Sequence, residues 1–142
     1  MHNHGREEHL HRSLGFNYKT DAVSHFKQHI AGKQSVNRKK YLYVCRGLLS
    51  LSWLQHHDGV PPANFEQLLE EAQDVSCPHE VVEQLFRDKR AGLFAQGPLE
   101  RLPLVDEWYE SFEFGVVDKF PHHHATTEQY DEMIVRAILE KW

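Results

Sequence analysis

Six polar and aromatic residues between positions 39 and 57 have the spacing of side chains that share one side of an α-helix. At 3.6 residues per turn, positions 39, 43, 46, 50, 53 and 57 fall within roughly 40° of a single line, and Lys40 is a second cation next to Lys39 in the chain. Lysine and arginine bind phosphate oxygens, and aromatic rings stack on nucleobases or wall a pocket. The sequence therefore predicts a substrate-binding polar stripe formed by Lys39, Lys40, Tyr43, Arg46, Ser50, Trp53 and His57.

The charge around the polar stripe is opposite to that of the whole chain. No Asp or Glu occurs between Asp21 and Asp58, an interval that contains six Lys and Arg residues, whereas the full chain has a net charge of −5. Local Lys and Arg density attracts phosphates more directly than net charge does. The interval therefore favours an anionic partner, and a solvated helix face is the alternative interpretation.

The element that carries the polar stripe is a predicted long helix from about Asn37 to Asp58. Its other arc is apolar and predicts a face that packs into a core: Tyr41, Val44, Cys45, Leu48, Leu49 and Leu51. Gly59 and the following prolines end the helix. Cys45 lies on the apolar arc and Cys77 precedes a proline, so we expect two free thiols.

Periodic apolar residues and capping signals predict five further helices. The first runs from about Asp21 to Ala31, the third from Phe65 to Ala72 behind the Asn64 cap, and the fourth from Ser76 or Pro78 to Gly92. The fifth begins near Pro103, and the last follows Thr126 with Tyr130, Met133, Ile134, Ala137 and Ile138. No segment alternates like a strand. The predicted fold is all-α, a bundle of about six helices with a long central second helix.

Length and composition predict one globular domain. The chain has 142 residues, of which 40% are hydrophobic and 26% charged, as is ordinary for a soluble protein. We expect residues 1–15 to be a flexible His-rich arm and residues 16–142 to be a single helical domain. No apolar run approaches the roughly 18 to 20 residues that span a bilayer, and the N-terminus lacks an apolar signal core, so we expect a cytoplasmic protein without a membrane partner.

Other patterns that carry chemistry are weak. Histidines occur in polar stretches such as His122-His123-His124 without Cys or carboxylate partners at ligand spacing, so we predict no metal site. No G-x-S-x-G motif occurs, and Ser50 and Ser52 lie inside a helix. Arg87, Lys89 and Arg90 end the fourth helix, where cations favour the helix dipole. We predict no catalytic residue in this chain.

The sequence resembles a known family in the segment that holds the polar stripe. In the YcgL-like predicted nucleotidyltransferases, the segment that corresponds to Lys39–Leu49 often has the pattern K-K-Y-x-Y-x-L-R-P-L-L. This chain departs from the pattern at two positions, where Cys45 replaces the leucine and Gly47 replaces the proline. The similar residues are Phe16-Asn17-Tyr18, Ala22 to Phe26, Lys39 to Arg46, Leu48-Leu49, Trp53, Pro61-Pro62, Phe65 and Leu68-Leu69. The resemblance covers about residues 16–140 and is to the C-terminal half of these proteins, which belong to the polymerase-β superfamily and include members in RNA-repair contexts.

The resemblance implies a catalytic half that this sequence does not contain. In the superfamily a separate α/β domain carries a Gly-Ser turn and carboxylates that hold divalent metal, and this chain has no Gly-Ser dipeptide. The complete family enzyme is thus expected to use Mg²⁺ and an NTP, and this chain no cofactor of its own.

Three functions are compatible with these features. The first is a helical substrate-binding domain of a nucleotidyltransferase that holds nucleotide or RNA phosphates with the polar stripe. The second is a protein-interaction module that pairs with a separately encoded nucleotidyltransferase subunit, since interfaces favour Tyr, Trp and Arg. The third is an autonomous enzyme that uses His and scattered carboxylates with Mg²⁺ or Mn²⁺. A structural role for Arg46, buried against a carboxylate such as Glu83 or Asp106, would argue against the first.

Overall fold

The computed structural model describes residues 4–57, 59–97 and 99–115, and within them the chain is mostly helical. Its five α-helices are α1 (His4–His29), α2 (Arg38–His56), α3 (Phe65–Glu71), α4 (His79–Arg90) and α5 (Pro103–Ser111). A 3-10 helix spans Leu93–Gln96. The strands β1 (Ser35–Val36) and β2 (Leu99–Glu100) form a small sheet that the all-α prediction lacked.

Helix α2 packs against the other four helices and supplies much of the core. The Asn37 side chain caps its start by accepting a hydrogen bond from the Lys39 N–H at 2.9 Å. Twelve of its 19 residues are buried, including the predicted apolar arc. The second helix was thus predicted within two residues at each end, but α1 is the longest of the five helices.

Helix α1 begins 17 residues before the predicted start at Asp21, and that prediction was wrong. Leu14, Tyr18, Ala22 and Phe26 recur every four residues and are all buried, so the apolar stripe extends back beyond the predicted first turn. Residues 4–15, which were expected to form a flexible arm, belong to the same helix. A division between an arm and a domain near residue 16 remains only a prediction.

Helices α1 and α2 approach closely at a pair of small residues. A Cβ atom built on Gly47 would lie 2.8 Å from the Ala22 Cβ and 3.3 Å from the Tyr18 carbonyl oxygen. Any side chain at position 47 would therefore force the two helices apart. Gly47, a departure from the family pattern, sets the distance between the helices.

The small sheet and two side chains tie α5 to the ends of α1 and α2. Strands β1 and β2 pair antiparallel with Val36 opposite Leu99. The Tyr41 hydroxyl donates to the Asp106 carboxylate at 2.9 Å and accepts from the Leu102 N–H at 3.0 Å. Arg101 donates to the same carboxylate and to the carbonyl oxygen of Lys33, which lies in the turn that follows α1. Two-residue strands are too short to give a period in the sequence.

Local capping signals account for the three shorter helices. Asn64 caps α3 by accepting from the Gln67 N–H at 2.9 Å, as predicted, and Pro103 lies in the first turn of α5. Helix α4 begins after Pro78, which occupies the cap position and has no side-chain acceptor, while the Ser76 N–H donates to the Asp74 carboxylate at 2.9 Å. The predicted last helix lies outside the described residues, so six helices are not confirmed. None of the helices described is long and apolar enough to cross a membrane.

Candidate functional site

The fold divides the predicted polar stripe into two parts, because α1 and α3 cover one end of it. Gly47 and Ser50 lie on the side of α2 that meets Tyr18 and Ala22 of α1. We call Ser50, Trp53 and His57 the covered half of the stripe. The remaining residues, at the start of α2, are the open half: Lys39, Lys40, Tyr43 and Arg46.

The covered half is part of the packed interior and does not form the surface that the sequence predicted. Ser50 is 1% exposed and Trp53 is 6% exposed. The Trp53 indole N–H donates to Glu71 Oε1 at 3.1 Å, and the His57 ring stacks on the indole at a centroid distance of 4.6 Å. The hydrogen bond from Trp53, with a second from Gln67, lowers the pKa of Glu71. Trp53 therefore joins α2 to α3 and is unable to stack on a base.

Tyr18 of α1 covers Ser50. Burial raises the pKa of the Tyr18 phenol, an effect that the nearby Arg46 charge and the Ser50 hydroxyl partly offset. A neutral phenol therefore lies over the middle of the polar stripe at physiological pH. The prediction failed here because a helical wheel shows which residues share a line but not which neighbouring helix covers that line.

The open half gathers cations around one aromatic ring. The Lys39 Nζ lies 6.0 Å and the Lys40 Nζ 5.4 Å from the centroid of the Tyr43 ring. Such ammonium–ring contacts are favourable and hold a long side chain near the ring. Lys39 is exposed, whereas Lys40 and Tyr43 are half-buried. The His25 ring of α1 lies 4.9 Å from the Tyr43 ring at 41°.

Arg46 and Lys89 extend the positive charge from α2 to α4. Both terminal nitrogens of Arg46 donate to the Ala63 carbonyl oxygen at 3.2 Å, which fixes the guanidinium beside the turn before α3. Lys89 is half-buried, and its burial and the charges of Lys39 and Arg46 lower its pKa. Lysines from two helices and one arginine therefore lie within electrostatic range of one another.

The carboxylates that were considered as partners for Arg46 lie beside other cations. Asp106 is paired with Arg101 at 3.1 Å, and Glu83 lies 3.8 Å from Arg87 on its own helix. Arg90 pairs with Glu66 at 3.0 Å, so the three cations at the end of α4 have different environments. Lys89 joins the open half, whereas the sequence had assigned it only to the helix dipole.

His25 is the second residue of the open half that the sequence prediction missed. It contacts Tyr43 and lies 3.4 Å from the Asp21 carboxylate one turn earlier. The available signal was its place three residues after the buried Ala22, at the edge of the α1 face that meets α2. Because the predicted stripe was drawn from one helix alone, contributions from α1 and α4 were not found.

Two cavities lie away from the polar stripe. One of about 720 Å³ lies between α3 and α4, with Phe65, Leu69 and Phe86 at its base and charged residues around it. Another of about 290 Å³ lies at the other end of α2 beside Asp74 and Trp108. Neither is lined by a residue of the stripe.

The described residues offer no cluster that suits a metal ion. No three His, Cys, Asp or Glu side chains converge there as metal ligands do. The His122-His123-His124 run lies outside this part of the chain. The divalent ion that the family resemblance implies therefore has no set of ligands among residues 4–57, 59–97 and 99–115, and no step proposed below involves one.

Comparison with known proteins assigns the family. Residues 1–137 match the model of the RlaP family, described as the RNA repair pathway DNA polymerase beta family. The uncharacterized protein YcgL of Bacillus subtilis (strain 168) is 32% identical over 132 residues, which are 89% of this chain and 50% of that protein. The chain thus spans about half the length of this relative. No solved structure matches. This chain belongs to the RNA repair pathway DNA polymerase beta family.

Proposed function

We propose that this chain is the helical substrate-binding part of a nucleotidyltransferase-related protein and holds the phosphates of a nucleotide or RNA with the open half of its polar stripe. The residues that bind phosphate are Lys39, Lys40 and Arg46 of α2, with Lys89 of α4. The observation that carries the proposal is the pair of ammonium groups that Lys39 and Lys40 hold over the Tyr43 ring. Arg46 lies on the same helix, and the charges of Lys39 and Arg46 act on Lys89 of α4. The family assignment supports a role in nucleotide chemistry.

Electrostatics favour an anion over other ligands at the open half. Two unit charges at 4 Å attract by about 4 kcal/mol at the effective dielectric constant of a protein surface. Like charges held near one another repel, and a bound anion relieves that repulsion. Burial lowers the pKa of Lys89 most, and the charges of Lys39 and Arg46 lower it further. Arg46, fixed by two hydrogen bonds to the Ala63 carbonyl oxygen, loses less conformational entropy on binding than a free side chain does.

Tyr43 supports the lysines in this proposal and does not stack on a base. Its ring already contacts two ammonium groups and the imidazole of His25. Trp53, the other predicted stacking residue, is buried. The open half therefore presents charge without a free aromatic platform, and we expect it to bind phosphates with little preference among bases.

Salt-dependent binding of labelled RNA and NTPs tests the proposal. We expect Lys39→Gln and Lys40→Gln each to weaken RNA binding and to reduce the slope of log K against log salt by about 0.7 per lost contact. Arg87→Gln is the matched control, because Arg87 is an exposed cation on α4 that pairs with Glu83. Weak, salt-insensitive binding that is the same in all four proteins would show that the open half binds no phosphate.

The alternative function is a protein-interaction module that pairs with a separately encoded nucleotidyltransferase subunit. Two observations support it: the chain covers half of its relative, and a groove of about 720 Å³ with an apolar base lies between α3 and α4. Co-purification with the part of the Bacillus subtilis relative that this chain does not match tests it. Recovery of a complex that Leu69→Asp abolishes favours pairing, and its absence alongside clear RNA binding favours the first function.

A further inference from the structure

His25 brings a titratable group to the open half of the stripe from a different helix. Its ring lies 4.9 Å from the Tyr43 ring, and its Nε2 lies 3.4 Å from Asp21 Oδ1. The His25 side chain is 16% exposed and that of Asp21 is 40% exposed. Tyr43 in turn lies under the Lys40 ammonium at 5.4 Å. One aromatic ring thus separates the imidazole from a proposed phosphate-binding cation.

Charged and titratable groups from three helices surround His25 and the open half. Helix α1 contributes Asp21 and His29, whose ring lies 5.9 Å from that of His25. Helices α2 and α4 contribute the remaining groups: Lys39, Lys40, Tyr43, Arg46 and Lys89. Histidine is the side chain whose charge ordinarily changes between about pH 5 and 8. The charge of this surface near neutral pH therefore depends on its histidines.

We propose that His25 is a binding residue of the phosphate site and makes anion binding by this chain stronger at acidic than at alkaline pH. This inference rests on the proposed function. Protonation of His25 adds one unit of positive charge beside Tyr43 and Asp21, at the edge of the open half. Anion affinity consequently rises as the pH falls from 8 to 6 and levels off when His25 is fully protonated.

The size of the effect follows from the exposure of the two groups. Interactions of solvent-exposed charge pairs are worth up to about one kcal/mol, so one added charge corresponds to an increase in affinity of about two- to fivefold at low salt. The increase shrinks as salt is added because the charges are screened beyond about 10 Å at 0.1 M. Asp21→Asn removes the negative charge and is expected to raise affinity at pH 8 towards the value of the wild type at pH 6.

The test requires a probe whose own charge is constant over this pH range. An oligouridylate with hydroxyl groups at both ends meets the requirement, because its diesters stay singly charged, whereas a terminal phosphate titrates near pH 6. Its affinity is measured from pH 6 to 8 for wild type, His25→Gln, Asp21→Asn and two controls. The controls are His29→Gln, on the same helix, and His56→Gln, at the other end of α2, where the side chain is exposed. The variant Lys89→Gln shows whether titration of Lys89 contributes to the pH dependence of binding.

The outcomes distinguish this inference from the proposed function. We expect a two- to fivefold rise in affinity towards pH 6 in wild type, in the controls and in Lys89→Gln, but constant affinity in His25→Gln. A pH-independent wild type that still loses affinity in Lys39→Gln overturns the role of His25 and leaves the proposed function intact. The same holds if His29→Gln and not His25→Gln removes the pH dependence. Absence of binding by wild type at every pH overturns both. Thermal melts of each variant identify any loss that is due to unfolding.

Discussion

Arg46 has a structural partner in the Ala63 carbonyl oxygen and, in the proposed function, also binds phosphate. Its guanidinium donates twice to the Ala63 carbonyl oxygen and is half-buried beside Lys89. The residue therefore anchors the turn between α2 and α3 while it keeps a positive charge at the open half. Its effects on stability and on binding are separable by comparison with a residue that only packs.

Arg46→Ala is expected to cost about 1 kcal/mol of unfolding free energy, since it removes one bifurcated hydrogen bond at a partly exposed site. Leu49→Ala, which truncates a fully buried side chain of the same helix, is expected to cost about 2 to 5 kcal/mol. Urea denaturation of both variants measures the difference, and RNA binding should fall only for Arg46→Ala. An equal loss of stability in the two variants would make Arg46 a core residue and remove it from the phosphate site.

Tyr41 makes the free energy of unfolding depend on pH in the alkaline range. Burial, with the nearby Asp106 carboxylate, raises the pKa of Tyr41 to about 12 from 10.0. Because the folded state holds this proton more tightly than the unfolded state, the contribution is complete below pH 10 and is lost as the pH rises from 10 to 12. Burial also raises the pKa of Tyr18 and Tyr109. The pH dependence of wild-type stability in the alkaline range is therefore the sum of the three tyrosine contributions.

We expect the unfolding free energy of Tyr41→Phe to fall less steeply between pH 10 and 12 than that of wild type, although the variant is less stable at pH 8. Loss of the hydroxyl leaves the Leu102 N–H without its partner and explains the lower starting value. Denaturation at a series of pH values measures both slopes. Parallel curves would mean that Tyr41 ionises at the same pH in the folded and unfolded chain.

At the scale of the elements, the crossing of α1 and α2 decides which side chains are available to a ligand. The close contact of Gly47 with Ala22 places α1 against Ser50, whereas Lys39 at the start of α2 stays exposed. The same contact brings His25 next to Tyr43. One glycine thus sets both the burial of the covered half and the composition of the open half.

Gly47→Ala is expected to destabilise the protein by about 1 to 2 kcal/mol, because the clash at 2.8 Å outweighs the better helix propensity of alanine. Combining it with Ala22→Gly removes the facing methyl group and is expected to recover part of the packing loss. A double-mutant cycle by thermal or urea denaturation gives the coupling energy, which should exceed 0.5 kcal/mol in magnitude. Additive effects would show that the two positions do not touch.

The elements that were predicted well are those whose ends carry a local signal. Asn37 and Asn64 cap α2 and α3, and Pro103 opens α5, so their starts were placed within one or two residues. The start of α1 was missed because its first turns are polar and lack the apolar period that marks the later turns. The binding role of the polar stripe stays a prediction. Lys39 and Lys40 lie over Tyr43, as residues of one helix end can, whereas Ser50 and Trp53 are covered by helices whose packing no local pattern reveals.

At the scale of the whole molecule, charge is segregated along the chain. The acid-free interval between Asp21 and Asp58 supplies Lys39, Lys40 and Arg46, whereas the groove between α3 and α4 is lined by charges of both signs that pair with one another. An acidic protein with a pI of about 6.2 thus carries a local concentration of positive charge. Local charge of this kind attracts a polyanion despite the net charge of the protein.

The contacts of Tyr41 and Arg101 determine when the last part of the described fold forms. Tyr41 and Asp106 are 65 positions apart, and Arg101 reaches Lys33 across 68 positions, so these hydrogen bonds close long loops. Closing a long loop costs chain entropy before the contacts that it allows can stabilise the chain. Such contacts therefore tend to form late in folding. We therefore expect Arg101→Ala to speed unfolding in stopped-flow experiments and to leave the folding rate nearly unchanged. A slower folding rate would instead place this long-range closure in the folding nucleus.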